Sequence, residues 1–155
     1  MSESKDKGLD TLQVWRRALA FATHICLQIL PLLPAEEKWC LSSQLRRSVQ
    51  SVPANIAEGY GRYYYQESIR LCYIARGSLE ETFSHITLAH ELGYIPSDIN
   101  FQVLNEMQEI RRMLNGYIAF LKQSKRGITE PGANLYIHEE PPNYNREPGT
   151  FIEET

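Results

Sequence analysis

Several kinds of chemistry have no foothold in this chain. No apolar run approaches the ~20 residues of a membrane span. The opening stretch MSESKDKGLD is polar and lacks the apolar core of a secretory leader. The cysteines Cys26, Cys40 and Cys72 show no metal-ligand spacing and each falls inside a helical pattern. They read as small core hydrophobes of a reducing compartment, so a cytoplasmic protein is expected. There is no HExxH, nucleophile elbow, phosphate loop or CxxC pair. None of His24, His85, His90 and His138 follows a glutamate by three, the spacing that di-iron bundles use. Glu81 and His85, four apart, read as a surface contact along one helix. These absences set the expectations: no catalytic residue, no metal and no cofactor. Glu58 near Arg76 reads as a structural ion pair and not as an acid–base pair.

What is present is ordinary for one globular domain: 155 residues, 43% hydrophobic and 23% charged. The net charge is −3, and its distribution says more than its sum. Residues 125–155 hold three basic and six acidic side chains out of 16 and 19, which leaves residues 1–124 balanced at thirteen of each.

Periodicity divides the chain into a polar lead (1–10), four helices (11–124) and an irregular, acidic, proline-containing tail (125–155). Helix 1 is expected from Thr11, capped by Asp10 or Thr11, to about Leu30, closed by Pro31 and Pro34. Leu12, Trp15, Leu19, Ala22, Cys26, Ile29 and Leu33 form a heptad seam along it. Val14, Ala18, Phe21, Ile25 and Leu32 form a second apolar row on another face. A helix apolar on two faces must be covered on two sides, which predicts self-association. Glu36 and Glu37 suit the start of helix 2. Helix 3 is expected over 65–91, with Arg76 interrupting the seam Ile69, Cys72, Leu79, Phe83 and Ile86. Gly93 stops it. Ser97 or Asp98 then caps helix 4, whose row is Val103, Met107, Ile110, Leu114, Tyr117 and Leu121. Four helices of this length joined by short connections predict an all-α, antiparallel up-down-up-down four-helix bundle. In the tail, Leu135–Ile137 and Tyr144 are the sticky points, able to dock on the bundle or on a neighbouring subunit.

The densest stretch is 44–77. An apolar row (Leu41, Leu45, Val49, Val52, Ile56) runs beside a polar row (Gln44, Ser48, Ser51, Asn55, Glu58) stepping by threes and fours. That polar row is either solvated surface or a buried network needing a partner for every atom. Pro53 should kink or restart the helix with Ser51 or Val52 as cap, and Gly59 should be a left-handed stop. With a turn near Gly61, Arg76 falls about level with Ser48, where it either meets acceptors or reaches solvent. Arg46, Arg47, Arg62, Arg70 and Arg76 outnumber Glu58 and Glu67 between residues 40 and 76. Arginines suit bidentate phosphate contacts, and Tyr60, Tyr63, Tyr64 and Tyr65 among them suit base stacking or a subunit edge. Arg46, Arg47, Arg62, Arg70, Tyr60, Tyr63 and Tyr64 are therefore the candidate nucleic-acid contacts.

The segments LQVW (12–15), LSSQLRR (41–47), SVPANIAEGYG (51–61) and IARGSLE (74–80) resemble the bacterial four-helix-bundle proteins associated with 23S rRNA intervening sequences. The resemblance covers residues 9 to 123. It implies an antiparallel protomer that assembles into a ring-like homopentamer, encoded in or near an insertion in a ribosomal RNA gene. A related branch, the accessory variability proteins of diversity-generating retroelements, forms similar pentamers that bind a reverse transcriptase and nucleic acid. Those proteins are strongly basic and this chain is not. Arg46, Arg47, Asn55, Glu58, Gly59, Arg76 and Gly77 occupy the motif positions, with no catalytic duty to carry over. The expected roles are an RNA- or ribonucleoprotein-associated accessory factor or, in another class, a protein-binding oligomeric scaffold.

Overall fold

A computed structural model describes residues 8–125 and Ile128. Four long helices pack as a bundle: α1 (Gln13–His24), α2 (Leu41–Tyr60), α3 (Tyr65–Glu91) and α4 (Ser97–Ser124). α2 pairs most extensively with α3, α3 with α4, and α1 lies against α2 and α4. Expected tail contacts through Leu135–Ile137 and Tyr144 lie outside the described residues.

Helix 1 departs most from expectation. A 3-10 turn (Leu9–Thr11) precedes it, and neither Asp10 nor Thr11 caps it; Leu12 is the cap residue, and the Thr11 hydroxyl donates back to the Gly8 carbonyl at 2.8 Å. After His24 the chain widens into a π-helical turn, Ile25–Ile29, then tightens to a 3-10 turn, Leu30–Leu32. Pro31 supplies a reason: it has no N–H for the Leu27 carbonyl and its ring would crowd that oxygen in a regular α-helix. The π-turn also rotates the helix face. Before it the second row is the buried one, Val14, Ala18, Phe21 and Ile25; after it Ile29 and Leu33 of the first row turn inward. Of the rest of the first row, Ala22 is buried at the edge of the core, Leu12, Trp15 and Cys26 are half-buried, and Leu19 is 43% exposed.

Glu37 does serve α2, from outside it. It ends a 3-10 turn (Ala35–Glu37), and one carboxylate oxygen accepts the Leu41 backbone N–H at 3.2 Å, satisfying a donor of the first turn. The other accepts the Tyr94 hydroxyl at 3.1 Å, tying the start of α2 to the α3–α4 turn. This bond first, then burial and the charges of Glu37 and Glu36, raise the Tyr94 hydroxyl above its ordinary pKa.

Pro53 neither restarts nor ends α2, which runs unbroken from Leu41 to Tyr60 with Pro53 buried inside it. Packing on both sides of Pro53, through Val49, Val52 and Ile56 at 0% exposure, outweighs the one lost hydrogen bond. Gly59 is helical and not a left-handed stop; the positive-φ residues among those described are Gly93 (+81°), the expected end of α3, and Lys125 (46°). Gly59 is needed for closeness. A Cβ there would lie 3.1 Å from the Ser68 carbonyl oxygen and 3.2 Å from Leu71 Cβ.

In α4 the inner row is Val103, Met107, Ile110, Leu114, Ile118 and Leu121, so Ile118 takes the place expected for Tyr117. The 3.6-residue turn drifts about 20° per heptad from a strict seam, enough to exchange neighbours near the helix end. Pro96 is the cap residue rather than Ser97 or Asp98.

Candidate nucleic-acid interface

The middle of the α2 polar row runs into the α2–α3 interface as a hydrogen-bonded network, buried at Ser48 and half-buried at Ser51 and Asn55. Ser48, at 0% exposure, has its hydroxyl 3.1 Å from the Leu45 carbonyl and 3.0 Å from the Thr82 hydroxyl of α3. One turn on, Ser51 and Ser78 pair at 2.8 Å, and Asn55 donates its side-chain amide to the Ser51 carbonyl at 2.8 Å and hydroxyl at 2.9 Å. Thr82 lies 2.9 Å from the Ser78 carbonyl and closes the ladder. At its ends the row meets solvent, with exposed Gln44 accepting from Arg47 and exposed Glu58 from Arg62.

The same pairs correct the place of Arg76. Ser48–Thr82 and Ser51–Ser78 centre the hairpin near residue 65, not Gly61, so Arg76 lies more than a turn from Ser48. It faces α4, donating to the Asn115 side chain at 3.1 Å with its guanidinium 4.9 Å over the Tyr73 ring. Half-buried, it finds an amide and an aromatic face rather than a carboxylate; Glu58 pairs with Arg62 instead. Gly77 beside it is exposed, with nothing within 4 Å of where a Cβ would stand.

The candidate arginines do not form one cluster. Arg46 and Arg47 are neighbours in sequence yet leave α2 on different sides. Arg47 reaches Gln44 and the Glu81 carboxylate of α3, which also meets His85 at 3.4 Å. Arg46 lines a depression with Lys38, Ser42 and Leu30, on the α1 side. Fourteen helical residues, about 21 Å, separate Arg46 from Tyr60 at the far end of α2.

The other candidates gather at that end, on the turn between α2 and α3. Arg62 ion-pairs with Glu58 at 2.8 Å. Tyr63 is 52% exposed and meets Tyr64 edge to face, ring centroids 6.3 Å apart. Tyr60 and Tyr64 are half-buried, and Tyr65 packs on the core. Arg70, a turn and a half into α3, is exposed and has no carboxylate partner among the described residues. The tip thus carries Arg62 and the partly open Tyr63, with Arg70 exposed about 8 Å along α3 from Tyr65.

Sequence reasoning missed an ion network between α1 and α4: Arg17 reaches Glu109 at 3.0 Å and Glu106 at 3.7 Å, and His24 meets Glu106 at 2.9 Å. Partners more than eighty residues apart leave no local signal. Cys72 lies wholly buried, and burial pushes its thiol up to about 12. Among the described residues no group of His, Cys, Asp and Glu is placed to hold a metal ion, and no helix is long and apolar enough to cross a membrane.

A family model described as 23S rRNA-intervening sequence protein matches residues 10–116, from before α1 into α4. The chain belongs to that family. Among solved structures, this intervening-sequence protein is similar to a protein of unknown function from the S23 ribosomal protein family of Bacteroides thetaiotaomicron VPI-5482, solved at 1.70 Å. The two share 26% sequence identity at a TM-score of 0.63, over 68% of this chain and 97% of that one. No functionally curated protein matches the chain. The motif positions Asn55, Glu58, Gly59, Arg76 and Gly77 all fall within the matched stretch, and the tail falls outside it.

Proposed function

We propose that this intervening-sequence protein is a non-catalytic, self-associating accessory factor that contacts ribosomal RNA or a ribonucleoprotein through the tip of the α2–α3 hairpin. The observation that carries the proposal is the grouping at that tip of Arg62, exposed Arg70 and the half-open Tyr63. Guanidinium groups suit phosphates, and an open tyrosine face suits an unpaired base. Arg47 and Arg62 are each already engaged by a carboxylate, Glu81 and Glu58, so exposed Arg70 is the strongest of the arginine candidates at the tip. Self-association, with the ring of five that the family resemblance brings, draws support from apolar side chains left open on α3 and α4: Ile74, Leu88, Phe101 and Phe120 are each at least 44% exposed.

The same side chains favour a second reading, an oligomeric scaffold whose partner is a protein, a reverse transcriptase in the related branch. Binding to a ribosomal RNA fragment, measured across salt, separates the two. Under the first reading the logarithm of the binding constant falls linearly with the logarithm of salt, by about 0.7 per phosphate contacted. Replacing Arg62 and Arg70 with alanine weakens binding and flattens that slope while the oligomer persists. Absence of salt-sensitive RNA binding by the intact oligomer would sink the RNA reading.

A further inference from the structure

An apolar groove of about 500 Å³ runs between α1 and α2, floored by Ala22 and Pro53 and walled by Trp15, Leu19 and Leu27. Cys26 sits at the boundary between it and a second depression, of about 290 Å³, whose rim carries Lys38 and Arg46. The surface is therefore graded, apolar at the Trp15 end and cationic at the Arg46 end. Neither Lys38 nor Arg46 has a carboxylate partner among the described residues.

The tail carries the complementary gradient in chain order. Leu135, Tyr136 and Ile137 are followed closely by Glu139 and Glu140. From Ile137 to Glu140 an extended chain spans about 10 Å. From Pro53 to Arg46 along α2 is also about 10 Å. The reach fits as well. α4 is antiparallel to α1, so its last residues lie at the Trp15 end of the groove. Fifteen helical residues, about 22 Å, separate Glu109, the partner of Arg17, from Ser124. Adjacent helix axes lie about 8–10 Å apart, so the return path to Trp15 is about 25 Å. After the turn that bonds Ile128 N–H to the Lys125 carbonyl, the seven residues to Leu135 span up to about 25 Å.

We infer that the tail of the same chain is the occupant of this groove: Leu135–Ile137 lie on Trp15, Leu19 and Pro53, and Glu139 and Glu140 engage Lys38 and Arg46. This gives the outward first row of α1, Trp15 and Leu19, its cover from within the protomer and leaves the α3–α4 side for contacts between copies. A tether of this length holds the segment at an effective concentration on the order of millimolar, so modest intrinsic affinity suffices.

Cys26 reports on the groove directly. In the full-length chain carrying Cys40→Ser, alkylation of Cys26 by iodoacetamide is followed by mass spectrometry, with Cys72 buried and inert as the internal control. Replacing Leu135, Tyr136 and Ile137 with serine is expected to raise the Cys26 rate by about tenfold, as removal of an apolar cover should. The intact chain is expected to be equally protected at every protein concentration. Lys38→Glu with Arg46→Glu raises the rate too, and adding Glu139→Lys with Glu140→Lys restores protection. The charge swap remains informative even if the serine variant misfolds. Equal rates in the intact and serine chains would overturn the assignment. So would protection that appears only at high concentration, which would place a second copy in the groove, or a charge swap that restores nothing.

Discussion

The Thr82 hydroxyl lies 3.0 Å from the Ser48 hydroxyl in a part of the α2–α3 interface where both residues are fully buried. Each also has a carbonyl of its own helix within reach, Leu45 for Ser48 and Ser78 for Thr82. The two hydroxyl protons can serve two of these three contacts at a time, so each hydroxyl keeps a partner whichever way Thr82 turns its proton. Thr82→Val keeps the volume and removes the hydroxyl, while Ser48 retains the Leu45 carbonyl. The expected loss is about 0.5–1.5 kcal/mol, read from urea unfolding at unchanged slope. Ser48→Leu should cost more, about 1–3 kcal/mol, because the small side chain is what lets the helices close.

Two glycines of the family motif should respond oppositely to alanine. At Gly59 the new methyl meets the Ser68 backbone oxygen at 3.1 Å, and a backbone atom of a packed helix cannot swing aside. At Gly77 nothing lies within 4 Å. Alanine improves a helix interior by about 1 kcal/mol over glycine, so Gly77→Ala should gain about that much. Gly59→Ala should lose stability despite the same propensity gain. Chemical denaturation of the protomer measures both. If Gly77→Ala also lowers the oligomer mass in sedimentation, Gly77 marks a close approach between copies, which would account for a motif glycine with no reason inside one chain.

Two raised pKa values make the fold sensitive to alkali. Tyr94, donating to Glu37, holds its proton more tightly folded than unfolded, and so does buried Cys72. A group whose folded pKa is raised contributes stability that is fully present below its unfolded value and is lost as pH rises through its folded one. For Cys72 the window runs from about 9 to about 12; for Tyr94 it opens above 10. Thermal midpoints should therefore decline through this range. Tyr94→Phe should lower the midpoint at pH 8 and decline less steeply above pH 10. Parallel curves for the two proteins would remove Glu37–Tyr94 from the account.

Much of the fold was legible because helix periodicity is a local signal. Tyr65–Glu91 is α3 as expected, and Val103, Met107, Ile110 and Leu114 line the core of α4. What misled were places where one interaction overrides another. Pro53 argues locally for a break, but apolar side chains packed on both sides of it hold α2 together. Gly59 looks like a stop and is a close approach, a distinction only the partner helix can make. In helix 1 both apolar rows were visible, yet which one faces the core changes at a π-turn that periodicity assumes away. The candidate site was legible in part. The arginine and tyrosine types of 60–70 come together at one tip, whereas Arg46 and Arg47 diverge because adjacent helical residues point about 100° apart.

Glu106 of α4 offers a test of the contact by which α1 joins the bundle. It takes the His24 ring at 2.9 Å and Arg17 at 3.7 Å, while Arg17 also holds Glu109 at 3.0 Å. Side chains here are about a quarter to a half exposed, so each pair is worth little alone, about 0.2–1 kcal/mol, and is screened by salt. Glu106→Gln keeps shape and removes the charge, so it should cost about 1 kcal/mol at low salt and less at high salt. In a double-mutant cycle with Arg17→Met the coupling should be measurable but well under the sum of the single losses, because Glu109 retains Arg17 when Glu106 is neutralised. Hydrogen exchange in α1 should quicken before that of α2 and α3, since α1 has the fewer contacts to lose. Uniform loss of protection across all four helices would show instead that α1 unfolds only with the whole bundle.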